Sequence, residues 1–219
     1  MKTFTLQEIR LKLYSAVVCD ALDSLGHRQQ SPQVPMVPYV HPNGDILVGR
    51  CKTTLWADMA HEDPKPYELE LKAVDSCSPD SVFVAAANGS LRSGIWGELL
   101  TTAAQNAGCL GAVIDGAVRD VGKIRAMNFP LFARGTSPYD SMNRQRVVDL
   151  DVEVEVGGTK ISPDDLLIAD EDGIVIVPSA VESEVLALAW EKVHGENITR
   201  EAIKNGMKAT DAYKKFGVL

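Results

Sequence analysis

The chain has 219 residues, 45% of them hydrophobic and 24% charged, which suits one large domain with its own core and argues against wholesale disorder. Its 30 acidic side chains against 22 basic ones give a net charge of -8, so phosphate-backbone binding has little support and no nucleic-acid partner is expected. No apolar run reaches the length of a membrane span and Met1-Lys2-Thr3-Phe4 opens no signal-like apolar region, so a cytoplasmic protein with no membrane partner is expected.

Thr5-Leu6-Gln7-Glu8 has the spacing of a capping box and predicts a short helix. A second helix fits Ala16 to Leu25, where Val17, Ala21, Leu22 and Leu25 share a face and Gly26 supplies the stop. Pro32, Pro35, Pro38 and Pro42 make residues 28–45 an extended connector. Ile46-Leu47-Val48-Gly49 and Thr53-Thr54-Leu55-Trp56-Ala57 read as two strands, and residues 61–75 as helical beyond Pro64 and Pro66. Ser81 to Ala86 is an apolar run between Pro79-Asp80 and Asn88-Gly89, the profile of a buried strand.

Glu98 to Asn106 is helix-compatible, Gly108 closes it, and Gly111-Ala112-Val113-Ile114-Asp115 reads as a strand. Strand, helix, strand in this order predicts a crossover unit with functional groups on the loops at strand carboxyl ends. Asp115-Gly116-Ala117-Val118-Arg119-Asp120 is predicted as such a loop. Further on, Val152, Val154 and Val156 alternate with Glu153 and Glu155 and turn at Gly157-Gly158 into a hairpin. Leu166 to Ala169 and Ile174 to Val177 form two strands around Asp170-Glu171-Asp172-Gly173. Ser179-Ala180-Val181-Glu182 opens a helix to about His194, and a last helical stretch follows Asn197.

Glu98, Asp115, Arg119 and Asp120 are the first candidates for chemistry. Hard divalent cations want oxygen ligands, and Mg²⁺ takes one or two carboxylates while keeping its waters. Arg119 beside them offers a permanent, planar cation suited to a carboxylate or an enolate. The alternative is structural: Arg119 and Asp120 as an ion pair, with Glu98 complementing a helix dipole. Gly89 to Gly97 is the second candidate, either a flexible loop or a lead-in that bares the backbone N–H groups of the Glu98 helix to an anion. Lys123 could form a Schiff base only with a depressed pKa, and a solvated lysine is the plainer reading. The four cysteines are widely spaced, as reduced thiols would be, and the four histidines do not pair at metal-ligand spacing.

Trp96-Gly97-Glu98-Leu99-Leu100 followed by Gly111-Ala112-Val113-Ile114-Asp115-Gly116-Ala117-Val118-Arg119-Asp120 resembles the 4-hydroxy-4-methyl-2-oxoglutarate aldolase family, which shares its fold with the regulator of ribonuclease activity A. Cys19-Asp20-Ala21-Leu22-Asp23-Ser24-Leu25-Gly26 and Asp170-Glu171-Asp172-Gly173-Ile174-Val175-Ile176-Val177-Pro178 extend the likeness over most of the chain. The resemblance implies a single α/β domain over residues 1–219, with a layered, swivelling-type β/β/α core and flanking helices. Residues 179–219 are then a C-terminal helical extension at the subunit interfaces of a homotrimer or homohexamer. It implies a lyase that cleaves or decarboxylates a small 2-oxo acid through a pyruvate enolate. In this reading Asp120 binds Mg²⁺ or Mn²⁺, Glu98 contacts the metal, and Arg119 steadies the enolate. Gly97 and the backbone amides of Leu99 and Leu100 receive the substrate carboxylate, and Glu196 is the candidate for a glutamate reaching a neighbouring subunit's site.

The chain departs from that pattern in two places. Lys123 stands where an acidic residue is usual, and Pro163-Asp164-Asp165 replaces Pro-Gly-Asp. A partner-masking protein and a lyase or hydratase acting on a sugar acid are the alternative functions.

Overall fold

The computed structural model describes residues 4–41 and 46–218, so Pro42, the last proline of the connector, lies outside the described residues. The chain opens with α1 (Leu6–Lys12) and α2 (Ser15–Ser24), then β1 (Val37–Val40), β2 (Leu47–Asp58) and α3 (Glu68–Asp75). The centre is β3 (Ser81–Trp96), α4 (Glu98–Asn106), β4 (Gly111–Val118), α5 (Val121–Ala126) and β5 (Leu131–Thr136). Four short strands β6 (Gln145–Leu150), β7 (Val154–Val156), β8 (Thr159–Ile161) and β9 (Leu166–Ala169) lead to β10 (Ile174–Val177). The long α6 (Glu182–Lys204) and α7 (Ala209–Phe216) close the chain. No described helix is long and apolar enough to cross a membrane.

One sheet runs in the order β1-β5-β4-β3-β2-β9-β10, with β6 also paired to β2. β2, β3, β4 and β5 are parallel neighbours, and the outer strands join antiparallel. This is the α/β class expected, and the layering follows from alternation along β3. Val82, Val84 and Ala86 pack with Val154, Val156 and Ile161 of the β7–β8 hairpin. Phe83, Ala85 and Ala87 pack instead with Ala73 and Val74 of α3 and Ala104 of α4. Towards β10, a third cluster joins Val48, Ile168 and Val175 to α1, α2 and α6. Hairpin, sheet and helices thus form the β/β/α arrangement.

Several local expectations hold. Thr5 and Glu8 form the reciprocal capping box, and Gly26 takes a left-handed φ of 88° just past α2. The β7–β8 hairpin turns at Gly157-Gly158, and all four cysteines are unpaired thiols. Asp164, in the position of the missing glycine, adopts φ 66° itself, while the Asp165 carboxylate accepts from the Ser162 and Ser179 N–H groups.

Other expectations need correction. The two strands around residue 50 are one continuous β2, because Arg50, Cys51 and Lys52 stay in register with Ser81, Val82 and Phe83. The proline-rich connector carries a strand, β1, whose Pro38 is tolerated at the sheet edge. α6 does not break near His194: Gly195 lies inside it, and its missing Cβ leaves room for Val218, whose Cγ2 would lie 3.2 Å from such an atom. β5, β6 and the short α5 had no counterpart in the sequence reading.

Candidate active site

Strand β4 runs to Val118, so Asp115 is not on the predicted loop. It is a buried strand residue whose carboxylate lies 3.8 Å from Arg134, and burial raises its pKa despite Arg134 and the Asn88 and Gly89 N–H groups. The loop between β4 and α5 is two residues long. Arg119 N–H donates to Trp96 O at 2.8 Å, and Ser137 N–H donates to Val118 O at 3.0 Å, so strands on both sides clamp its base. Asp120 then turns left-handed at φ 56° and opens α5 without capping it. Freed from that duty, its carboxylate points at the neighbouring helix, where the Glu98 N–H donates to Oδ2 across a long 3.4 Å.

Gly89 to Gly97 is likewise no flexible loop. Through Trp96 it is the second half of β3, irregular against β4 at Ala86/Ser90, Ser90/Gly94 and Gly94/Trp96. Its glycines have a steric purpose at two places. A Cβ at Gly94 would sit 2.6 Å from Ser137 O and 2.9 Å from Arg119 Cβ, and one at Gly97 would sit 3.0 Å from Asp120 Oδ2. The strand therefore leaves space for the Arg119-Asp120 corner to lie against it.

Gly97 is also the N-cap of α4, extended and without a side-chain cap. Thr101 N–H donates to Gly97 O at 3.0 Å, so the Glu98, Leu99 and Leu100 N–H groups precede the helical ladder and face outward at the positive end of the dipole. These elements enclose a cleft of about 280 Å³ whose lining includes Gly97, Glu98, Leu99, Leu100, Arg119 and Asp120. Lys123, on α5, stands at its edge with Nζ 3.8 Å from Glu98 Oε2.

The same cleft contains groups the sequence reading did not single out: Tyr67, the N-cap of α3, Glu70 within that helix, and Asp140 and Ser141 from the segment after β5. Arg119 Nη2 donates to Asp140 Oδ2 at 2.6 Å, while Tyr67 and the Met142 N–H donate to Asp140 Oδ1. Burial opposes ionisation of Asp140, but those three donors outweigh it and hold the carboxyl below its usual range. Burial, then the bond to Asp140, pushes Tyr67 up to about 12. Glu70 is only 6% exposed and accepts from Ser141 Oγ at 3.0 Å. Burial pushes its pKa up to about 7, against the lowering effect of the Ser141 bond. The only available signal was the polar turn Ser137-Pro138-Tyr139-Asp140-Ser141, which gained meaning once β5 placed it beside β3.

Glu70 yields a stability prediction. Its folded pKa lies above the unfolded one, so folding is undisturbed below about pH 4.5, loses stability as pH rises from there to about 7, and is level above that. Glu70→Gln, which keeps an acceptor for Ser141, is expected to gain on the order of 3 kcal/mol over the wild type at alkaline pH. The gain vanishes near pH ~4.5. Urea denaturation at both pH values measures this, and a gain independent of pH would contradict the buried, neutral carboxyl.

Glu196 is not in this cleft. It lies on α6, where it accepts from the Tyr14 hydroxyl and sits 3.6 Å from Arg200 beside a separate surface hollow. Among the described residues no three His, Cys, Asp or Glu side chains converge into a metal cage.

The family pattern described as RraA-like, Aldolase/RraA, matches residues 15–176. The chain belongs to the RraA-like family. A Halalkalibacterium halodurans protein provisionally named 4-hydroxy-4-methyl-2-oxoglutarate aldolase is 35% identical over 143 residues, 65% of this chain and 68% of that protein. An uncharacterized Pseudomonas syringae pv. tomato protein of known structure is 30% identical with TM-score 0.79, covering 94% of this chain and 95% of its own. The Streptomyces coelicolor protein RraAS2, described as an unusual member of the RNase ES inhibitor RraA family, is 27% identical with TM-score 0.78, covering 89% and 94%. Names among these RraA-like relatives thus span an aldolase and an RNase inhibitor, and the chemistry of this member has to be argued from its own cleft.

Proposed function

We propose that this RraA-like chain is a class II, metal-dependent lyase that cleaves a small 2-oxo acid, by aldol cleavage or decarboxylation, through a pyruvate enolate. The observation that carries this reading is one cleft holding a guanidinium, an uncommitted carboxylate and an uncapped helix N-terminus. No ion pair among the described residues engages Asp120, and Glu98 has only Lys123 at 3.8 Å. Those two carboxylates fit Mg²⁺ or Mn²⁺, which needs no more than one or two such ligands besides water. Bound there, the ion would supply Lewis-acid stabilisation of the enolate oxygen.

The chain's own groups do the rest. The Leu99 and Leu100 N–H groups receive the substrate carboxylate, and Gly97 keeps their approach open. Arg119 is oriented by Asp140 through Nη2, and the rest of its fork faces the 2-oxo oxygen as negative charge develops. Leu71 and Leu99, 51% and 77% exposed at the cleft, are apolar surface that a neighbouring subunit of a trimer or hexamer would cover. Glu196 and the rest of the C-terminal helices would act at such an interface, since within one chain they lie elsewhere.

The test is pyruvate release from oxaloacetate and from 4-hydroxy-4-methyl-2-oxoglutarate with Mg²⁺ or Mn²⁺, repeated with chelator. Chelator-sensitive pyruvate is expected. Absence of pyruvate from a metal-bound protein sinks the proposal. Lys123 gives a second check: its ammonium beside Glu98 opposes a cation, so Lys123→Glu is expected to tighten Mn²⁺ binding by roughly threefold to tenfold. A weaker calorimetric titration would overturn that account.

A further inference from the structure

The charge inventory of the cleft is lopsided. Glu70, Glu98, Asp120 and Asp140 line it, and Arg119 is the sole basic side chain among the lining residues. Arg119 is already held by Asp140, and Lys123 stands outside the lining on the Glu98 side. One substrate carboxylate has a place, at the N-terminus of α4. Among the described lining residues a second would find no free cation, and it would meet the buried Glu70 and the ionised Asp140.

The α3 side is instead built for hydroxyl groups. Tyr67 and Ser141 carry O–H groups there, each already hydrogen-bonded to a carboxyl group, Asp140 and Glu70 respectively. A substrate hydroxyl can donate to the remaining lone pairs of either carboxyl group or of either hydroxyl oxygen, whereas a carboxylate has no proton to donate and would meet the ionised Asp140 charge against charge. We infer that the cleft prefers 2-oxo acids whose distal end is uncharged and hydroxylated, and turns over more slowly those ending in a second carboxylate, with Tyr67, Glu70 and Ser141 as the specificity-determining residues.

This rests on the lyase reading and makes aldol adducts of pyruvate with a small hydroxyaldehyde its preferred substrates. In their cleavage the C3–C4 bond breaks and the C4 hydroxyl loses its proton as C4 becomes the aldehyde carbon. The electron pair passes to the pyruvate enolate, which takes a proton at C3. The step balances without oxidant or co-reactant.

A matched pair tests it: 4,5-dihydroxy-2-oxopentanoate against 4-hydroxy-2-oxoglutarate, equal in length and differing in a terminal CH₂OH or carboxylate. With Mn²⁺ present, kcat/KM for pyruvate release is expected to favour the dihydroxy acid by at least about tenfold. At about pH 8, where Glu70 is mostly ionised, Glu70→Gln should shrink that preference several-fold. Ser141→Ala serves as the second variant if Glu70→Gln does not fold. Calorimetric binding of 5-hydroxy-2-oxopentanoate and 2-oxoglutarate, which lack the C4 hydroxyl and cannot be cleaved this way, should follow the same order. Equal or better use of the dicarboxylates overturns the inference while the lyase reading stands. Failure of every 2-oxo acid, oxaloacetate included, to yield pyruvate fails both.

Discussion

Asp120→Ala is expected to lower metal-dependent pyruvate release by about a thousandfold or more while the fold survives. The reason lies in what Asp120 does not do. It neither caps α5 nor forms an ion pair among the described residues, and the side-chain hydrogen bond it does accept there is the long one from the Glu98 N–H. Alanine therefore removes little that holds the chain together. It does keep a residue at φ 56°, a strain of about 1 kcal/mol that an aspartate tolerates somewhat better. Arg119→Ala should cost a similar factor in turnover for a different reason. Metal titration separates the two: Mn²⁺ binding should be lost in Asp120→Ala and kept in Arg119→Ala. Undiminished turnover in either variant would remove that residue from the chemistry.

Gly94→Ala should damage both stability and activity, although Gly94 offers the cleft no side chain. The new methyl would press on Ser137 O at 2.6 Å, a backbone atom that cannot swing aside, and on Arg119 Cβ at 2.9 Å. Either β3 moves or the Arg119 corner does. Overpacking of this kind costs about 1–3 kcal/mol, and a displacement of even one ångström at a reacting group can cost about a hundredfold in rate. A lowered denaturation midpoint together with reduced kcat is the expected pair of readings. A variant with normal stability and normal kcat would show that the close approach is not needed.

Much of the fold was legible because local and tertiary signals agreed. The capping box at Thr5, the glycine turn at Gly157-Gly158 and the apolar run from Ser81 each have one low-energy solution, and the structure adopts it. β5 and β6 were missed for a physical reason. Phe132, Ala133 and Val147 are buried by neighbours far along the chain, while the flanking Arg134, Gly135 and Arg146 break any apolar period. The same limit applies to the cleft. Glu98, Arg119 and Asp120 fall within one motif-bearing stretch and could be proposed together. Tyr67, Glu70, Asp140 and Ser141 come from two other segments, and only the pairing of β5 with β4 and the packing of α3 bring them near Arg119. Asp115 shows the converse: adjacency in sequence placed it on the loop, and the structure keeps it in β4 with its side chain towards Arg134.

The division of β3 between two layers has a genetic consequence. From Val82 to Ala87 volume-conserving apolar exchanges would be tolerated best, because the two packing layers ask mainly for apolar volume. Loss of a single codon there would be another matter. Every side chain beyond it would change sides, so Phe83 and its partners would meet the hairpin while the glycines moved out from under the Arg119 corner. What this segment transmits from one generation to the next is therefore a length more than a spelling, and in-frame deletions should be purged from it far more harshly than substitutions.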